Sequence, residues 1–172
     1  DEAPCEPVCP VFATYHNDQG INVQVYNRCV GTRFCANNCP YQVMFFNFWE
    51  PEWPETLTNQ LNPDVTVRSR GIMEKCTFCV QRIRRNERES ERDGVELEDG
   101  DRALNPACVN SCPTSAITFG DFKDPESKVS KMKEKEEDRD GRAYTLLENL
   151  GTSPSVVYLK KVEKGAEAVV HG

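Results

Sequence analysis

Residues 29–40 read CVGTRFCANNCP, and the stretch Cys35–Pro40 within them is a C-x3-C-P motif. The same motif occurs at Cys5–Pro10 and at Cys108–Pro113, so six of the nine cysteines lie in one repeated pattern. A short apolar run follows each copy, at residues 11–15, 41–45 and 114–119. An internal repeat outweighs any single residue in fixing a fold, so we expect three similar turns, each leading into a short strand.

The repeated motif has a known chemistry. C-x3-C-P is the end of the bacterial ferredoxin run C-x2-C-x2-C-x3-C-P, whose first three thiolates hold one iron–sulfur cluster while the fourth holds another. The proline fixes φ and has no N–H, so the chain leaves the cluster loop directly after the last cysteine. Cys76 and Cys79 supply a C-x2-C head for such a run, and Cys29 and Cys35 supply a C-x5-C head.

Thr32 stands where the ferredoxin run would have the middle cysteine of the Cys29 head. A hydroxyl is a poor ligand for iron that prefers thiolate, so we expect a cluster that lacks one iron, of the 3Fe–4S type. The alternative is a tolerated surface substitution, with the fourth iron held by water.

Zinc and disulfides are the rival explanations of the cysteines. Cys76, Cys79, Cys108 and Cys112 together could form a closed tetrahedral zinc site. The triple repeat favours iron, because zinc does not require it. A disulfide within any C-x3-C pair would close a short, strained ring, and nine thiols cannot all be paired.

Composition narrows the classes of protein. The chain has 172 residues and a net charge of −7, which argues against a nucleic-acid binder. The apolar run at residues 43–46 is far shorter than the roughly 20 residues of a membrane helix. Asp1 is not a methionine and no signal peptide precedes it, so we expect a mature product or a piece of a longer chain. We find no catalytic triad and no phosphate loop, and we expect no substrate-converting site.

Several elements and side chains can be predicted from local patterns. We expect a hairpin over residues 13–26, a polar helix over residues 80–93, a short helix over residues 142–150 and a strand over residues 155–162. Lys75 and Arg82 flank the C-x2-C head and are either ordinary solvated residues or tune a cluster electrostatically. His16 and His171 receive no role. A group of aromatic residues is expected to pack beneath a cluster rather than to dock on a membrane subunit: Phe45, Phe46, Phe48, Trp49 and Trp53.

Residues 29–48, 62–83 and 106–132 resemble the four-cluster ferredoxin subunits of the molybdopterin-oxidoreductase superfamily, such as those of polysulfide and dimethyl sulfoxide reductases. Within that superfamily they are most similar to the C-terminal domain of the iron–sulfur subunit of alternative complex III. The resemblance implies an α+β, ferredoxin-like four-cluster domain whose N-terminal part is absent from this sequence. It also implies cross-ligation, with the first cysteine motif paired to the fourth and the second to the third.

That family has sixteen cysteine positions, of which seven are missing here. The resemblance implies three 4Fe–4S clusters shared with chain upstream of Asp1, and one 3Fe–4S cluster held by Cys9, Cys29 and Cys35 beside Thr32. The nine ligands would be Cys5, Cys9, Cys29, Cys35, Cys39, Cys76, Cys79, Cys108 and Cys112.

On this basis we divide the chain into four parts. Residues 1–48 form one cluster unit, with the end of motif two and all of motif three, and residues 49–74 form a linker or insertion. Residues 75–122 form a second half-unit around motif four, interrupted by a polar helical insertion at residues 80–105. Residues 123–172 form a charged loop and a C-terminal helix–strand extension.

The resemblance further implies a function in electron transfer. The main hypothesis is a peripheral subunit of alternative complex III on the periplasmic face of the bacterial inner membrane, which passes single electrons from a quinol toward a cytochrome c. Its partners would be an integral-membrane quinol-binding subunit, cytochrome c subunits and the upstream remainder of its own polypeptide. The first alternative is the electron-transfer subunit of a molybdopterin reductase, and the second is a structural zinc module.

Overall fold

Short strands pair in two-stranded antiparallel sheets, and helices of unequal length connect them. The computed structural model describes residues 1–97, 102–138 and 141–162. The strands are β1 (Thr14–His16), β2 (Asn22–Gln24), β3 (Phe45–Phe46), β4 (Met73–Glu74), β5 (Ala143–Tyr144) and β6 (Tyr158–Leu159). The α-helices are α1 (Phe34–Asn38), α2 (Val80–Asp93), α3 (Ala107–Asn110) and α4 (Lys128–Asp138). Short 3₁₀ segments lie at Tyr26–Arg28, Glu55–Gln60 and Glu148–Leu150. This small mixed arrangement fits the expected ferredoxin-like α+β class.

The hairpin predicted over residues 13–26 is confirmed. β1 and β2 pair in register from Thr14 opposite Gln24 to His16 opposite Asn22. Gly20 closes the turn at φ +76°, a left-handed conformation that glycine adopts without strain. The side chains of Thr14 and Val23 are buried, so the hairpin lies against the interior of the domain.

A second pair of strands connects distant parts of the chain. β3 follows the repeat that contains Cys39, and it pairs with β4, which immediately precedes the Cys76 head. The region predicted as a linker, residues 49–74, therefore ends in a paired strand. Gly71, just before β4, packs closely against Gly31. A Cβ at Gly31 would overlap the carbonyl oxygen of Gly71, so only glycine fits there.

The predicted helix over residues 80–93 is confirmed as α2, whose Val80 and Ile83 are buried. It ends at Gly94, which has a left-handed conformation at φ +65°. The predicted helical insertion at residues 80–105 extends across residues 98–101, which lie outside the described residues. The C-terminal extension likewise includes residues 139–140 and 163–172, and with them His171, outside the described part.

Two local predictions are wrong in whole or in part, and a third is confirmed over a shorter range. The helix predicted over residues 142–150 is reduced to the 3₁₀ turn Glu148–Leu150 before Gly151, because Ala143 and Tyr144 pair with β6 and Leu147 has a left-handed φ of +54°. The strand predicted over residues 155–162 does form, as the shorter β6. The run at residues 114–119 is not a strand, since no described strand pairs with it.

The prediction that the aromatic group packs beneath a cluster is also wrong for most of its members. Phe48 and Trp49 are 70% and 73% exposed, and Phe45 is more than half exposed. Trp53 is exposed too, and only Phe46 is half-buried. Docking on a partner therefore stays as the remaining prediction for these side chains.

No helix among the described residues is long and apolar enough to cross a membrane.

Candidate metal centre

The three C-x3-C-P repeats share one backbone geometry. In each, the N–H of the second cysteine donates to the carbonyl three residues earlier, at 3.1 Å for Cys9, 3.3 Å for Cys39 and 3.2 Å for Cys112. The carbonyl of that cysteine then accepts from the residue three positions later, and each of these residues has a positive φ: Phe12 (+54°), Gln42 (+52°) and Ser115 (+51°). Non-glycine residues rarely adopt this conformation, so its threefold recurrence shows that the repeated turn is a built feature.

Backbone amides point at the sulfur atoms. Ala13 donates its N–H to Cys9 Sγ at 3.2 Å, and Ala116 donates to Cys112 Sγ at 3.3 Å. Further amides donate to other cysteines: Met73 to Cys29 Sγ (3.3 Å), Phe78 to Cys76 Sγ (3.5 Å) and Ala107 to Cys79 Sγ (3.5 Å). Hydrogen bonds of this kind favour the thiolate over the thiol, and bonds to the sulfurs are one control on cluster potential. The donor set therefore fits anionic sulfur ligands of an iron–sulfur cluster.

The pKa values of four thiols differ in direction. Burial raises the pKa of Cys5, against the hydrogen bond to Thr14, and it also raises the pKa of Cys35. At Cys9, partial burial acts upward, but backbone amides outweigh it and the pKa is lowered. The Thr114 hydroxyl and the Ala116 amide lower the pKa of Cys112. The second cysteine of two repeats is thus prepared for the thiolate form even without metal.

The N-terminal cysteines meet in one core. Cys5 and Cys35 are buried with Met44 and Met73, and Cys29, Cys39 and Phe46 pack against them. Besides burial, the charges of the Cys29, Cys5 and Cys9 thiols act on the pKa of Cys35, and the charge of the Cys39 thiol acts on the pKa of Cys5. Cys5 and Cys35, which the prediction assigns to different clusters, lie in the same core, so the grouping into two clusters stays a prediction. Thr32 itself is exposed in the loop before α1.

The second group of cysteines lies closer to solvent. Cys76 and Cys108 are exposed, whereas Cys79 and Cys112 are half-buried. The bond from Ala107 N–H to Cys79 Sγ brings the start of α3, and so Cys108, beside the C-x2-C head. Phe78 and Cys79 adopt successive left-handed conformations in that head, and the Phe78 ring stacks on Phe119 at 5.9 Å.

The zinc alternative concerns the four cysteines of the second group. It would need Cys76, Cys79, Cys108 and Cys112 around a single ion. Within residues 1–97, 102–138 and 141–162, no three His, Cys, Asp or Glu side chains converge on a point that one metal ion could occupy, at these cysteines or at the others. Metal analysis therefore has to decide between zinc and iron.

Some neighbours of the sulfur atoms were not predicted from the sequence. Thr14 Oγ1 lies 3.7 Å from Cys5 Sγ, and Asn22 Oδ1 lies 3.9 Å from it. Both residues belong to the hairpin. The only sequence signal that they would approach Cys5 was that the hairpin directly follows the first repeat. Lys75 donates to the backbone carbonyls of Asn22 and Cys76, whereas Arg82 is exposed and donates to the Asn105 carbonyl at 3.4 Å. Burial lowers the pKa of Lys75, and the nearby Cys5 and Cys76 thiols act in the opposite direction.

Similar proteins share the cysteine-rich region. No family model matches the chain. It is 45% identical over 163 residues to the menaquinone reductase iron–sulfur cluster-binding subunit of Nitratidesulfovibrio vulgaris, and the match covers 92% of this chain and 61% of that protein. It is 41% identical over 160 residues to a putative dimethyl sulfoxide reductase iron–sulfur subunit from Halobacterium salinarum, with 92% of this chain and 51% of that protein covered.

A third relative is covered over more of its length. The arsenate respiratory reductase iron–sulfur subunit of Shewanella sp. is 31% identical over 188 residues, with 93% of this chain and 71% of that protein covered. The chain spans about half to three fifths of the first two relatives. None of the three is named for alternative complex III, and dimethyl sulfoxide and arsenate reductases agree better with the alternative hypothesis of a reductase subunit. All three are iron–sulfur subunits, so the cofactor class is the iron–sulfur cluster, and the chain belongs to the family of iron–sulfur subunits of respiratory oxidoreductases.

Proposed function

We propose that this chain is the electron-transfer iron–sulfur subunit of a membrane-bound respiratory oxidoreductase of the molybdopterin type. The observation that carries the proposal is the threefold turn, which in two of its three copies directs a backbone amide at the sulfur of the second cysteine. The reductase names of its relatives support this reading over alternative complex III. The cytochrome c partner and the periplasmic location belong to the alternative complex III hypothesis and stay predictions.

The cysteines are assigned to clusters by the cross-ligation of the family. Cys9, Cys29 and Cys35 hold a 3Fe–4S cluster, with Thr32 at the position of the missing thiolate. Cys5 and Cys39 share a second cluster. The remaining cysteines serve two 4Fe–4S clusters, with Cys76, Cys79 and Cys108 on one and Cys112 on the other. The thiolates still needed come from residues outside this sequence.

The protein's own contribution is to hold and tune these groups. A bound iron–sulfur cluster accepts and returns one electron at a time. The chain supplies thiolates, amide hydrogen bonds such as those from Ala13 and Met73, and the buried core around Cys5 and Cys35. Burial, hydrogen bonds and nearby charge set the potential of such a group, so these residues carry the functional information.

The proposed partners follow from the same family. An integral-membrane subunit would exchange electrons with a quinone, and a catalytic molybdopterin subunit would lie at the other end of the complex. This chain would be the peripheral subunit that the family resemblance implies. The exposed aromatic group around Phe48 and Trp49 is the predicted contact with such a partner.

Metal and spectroscopic analysis of the intact complex tests the proposal. The complex should contain iron and acid-labile sulfide, with slightly more sulfide than iron because of the 3Fe–4S cluster, and no stoichiometric zinc. Electron paramagnetic resonance of the oxidised complex should show a 3Fe–4S signal, and the reduced complex should show 4Fe–4S signals. Stoichiometric zinc with no sulfide would refute the iron–sulfur assignment.

The other contents of the complex separate the two oxidoreductase readings. Molybdenum or tungsten with a pterin, and no covalent haem, is the result expected for a molybdopterin reductase. Covalent haem c without a pterin cofactor would instead favour alternative complex III.

A further inference from the structure

Lys75 occupies a place that the proposed ligand scheme does not use. It directly follows β4 and directly precedes Cys76, and its side chain turns back toward the hairpin. Its ammonium donates to the Asn22 carbonyl of β2 and, at 3.2 Å, to the Cys76 carbonyl. The side chain of the same Asn22 lies 3.9 Å from Cys5 Sγ. The ammonium therefore lies between the core that contains Cys5 and the loop that contains Cys76.

The thiols that act most strongly on its charge belong to two different cluster sites. They are Cys5 and Cys39, which share one proposed cluster, and Cys76, which belongs to another. Cys9, Cys29 and Cys35 are not among its main electrostatic neighbours. The charge of Lys75 is thus coupled most strongly to the ligands of two of the proposed clusters.

The charge of Lys75 is not cancelled by a neighbouring acid. No described carboxylate forms an ion pair with it. The acid that acts on it electrostatically is Glu6, which already binds His16 at 2.5 Å and accepts from Asn22. Carbonyl partners do not neutralise the ammonium charge, so its electrostatic attraction for the surrounding sulfurs is not offset by a paired carboxylate.

We propose that Lys75 is a positioning residue that raises the midpoint potentials of both neighbouring clusters, the one at Cys5 and Cys39 and the one at Cys76. The inference rests on the proposed function. Reduction adds a negative charge to a cluster, and a fixed cation nearby makes that addition more favourable. A single cation shared by two sites also brings their potentials up together.

The test is redox titration of the intact complex, monitored by electron paramagnetic resonance. In Lys75→Met, which keeps the length of the side chain and removes its charge, the ratio of reduced to oxidised form at a fixed potential should fall about tenfold for both clusters. For a one-electron couple this corresponds to about 59 mV. The 3Fe–4S signal should titrate as in the wild type. Lys75→Arg should keep the wild-type potentials, because it keeps the charge.

Arg82→Met is the matched control, because it removes one positive charge from an exposed position beside the same cysteine head. Solvent and salt screen that charge, so its effect should be clearly smaller. Unchanged potentials in fully loaded Lys75→Met would overturn the inference, as would an equal shift of every cluster. Loss of iron from Lys75→Met would also overturn it, by assigning Lys75 to structural support. Absence of cluster signals from the wild-type complex would refute the proposed function itself.

Discussion

The two cysteine-rich regions of this chain use the same turn but are buried to different degrees. In residues 1–48 four of the five cysteines lie in or against a core with Met44 and Met73, and Thr14 of the hairpin contacts Cys5 there. In residues 75–122 Cys76 and Cys108 reach the surface, and the run after the third repeat has no described strand partner. The difference shows that the turn alone positions the cysteine sulfur, whereas burial of that sulfur also requires packing by residues distant in the sequence. Among the described residues, the first region contains that packing and the second does not.

Replacing one cysteine in each region gives the largest expected effect and tests this contrast. Cys35→Ser and Cys108→Ser should each abolish one cluster, seen as loss of its paramagnetic signal and of iron from the complex. Only Cys35→Ser should also lower the temperature at which the remaining clusters are lost, because its hydroxyl is placed in an apolar core. Burial of an unsatisfied hydroxyl costs about 1–3 kcal/mol.

The matched control for these variants is Asn37→Ser, an exposed position on the same helix as Cys35. It should leave iron content and thermal stability unchanged. Equal thermal destabilisation by Cys35→Ser and Cys108→Ser would contradict the difference in burial between the two regions.

Thr32→Cys should change the type of one cluster without removing it. In the proposed scheme the new thiolate completes the ligand set of Cys9, Cys29 and Cys35, so a 4Fe–4S cluster should form and the oxidised-state 3Fe–4S signal should disappear. The potential of the site should fall, since cluster type and net charge both control it. Thr66→Cys, an exposed threonine outside the cysteine motifs, should keep the signal. A complete four-iron cluster in the wild type would refute the role given to Thr32.

Local features of the chain could be predicted from the sequence because their causes are local. The repeat predicted the three similar turns, since Pro10, Pro40 and Pro113 impose the same exit from each. Gly20 and Gly94 marked the hairpin turn and the end of α2 for a similar reason, because both need a positive φ. The ligand assignment came from the resemblance and remains a proposal.

Features that depend on distant pairing could not be predicted. Nothing near residues 73–74 shows that they pair with β3, since the partner lies beyond the linker. The same holds for Ala143 and Tyr144, whose pairing with β6 prevents the helix that their local sequence favours. The apolar composition around Trp49 indicated burial, but no described element covers this surface of the domain. Asn22 and Thr14 reach Cys5 only because the hairpin folds back onto the first repeat.

Gly31→Ala should destabilise the first region, because Gly31 packs against the backbone of Gly71 without room for a Cβ. The added Cβ would overlap the Gly71 carbonyl, and the φ of +71° is unfavourable for alanine. Together these should cost about 2–4 kcal/mol, from the left-handed conformation and from overpacking. Gly20→Ala is the matched control, because its φ is +76° and nothing lies within 4 Å of the added Cβ. The measurement is the temperature at which cluster absorbance is lost, and equal shifts for both variants would contradict the close approach of Gly31 to Gly71.

The smallest effect is expected on α2, which begins directly after Cys79 in the second region. Arg85 pairs with Asp64 at 3.1 Å and with Glu89 at 3.0 Å, but all three side chains are largely exposed. Exposed pairs gain little, because water and salt screen them, so Arg85→Ala should leave thermal stability unchanged within error. Ile83→Ala on the buried face should instead cost about 2–5 kcal/mol. Equal losses of thermal stability in the two variants would mean that surface ion pairs stabilise α2 as much as apolar burial does.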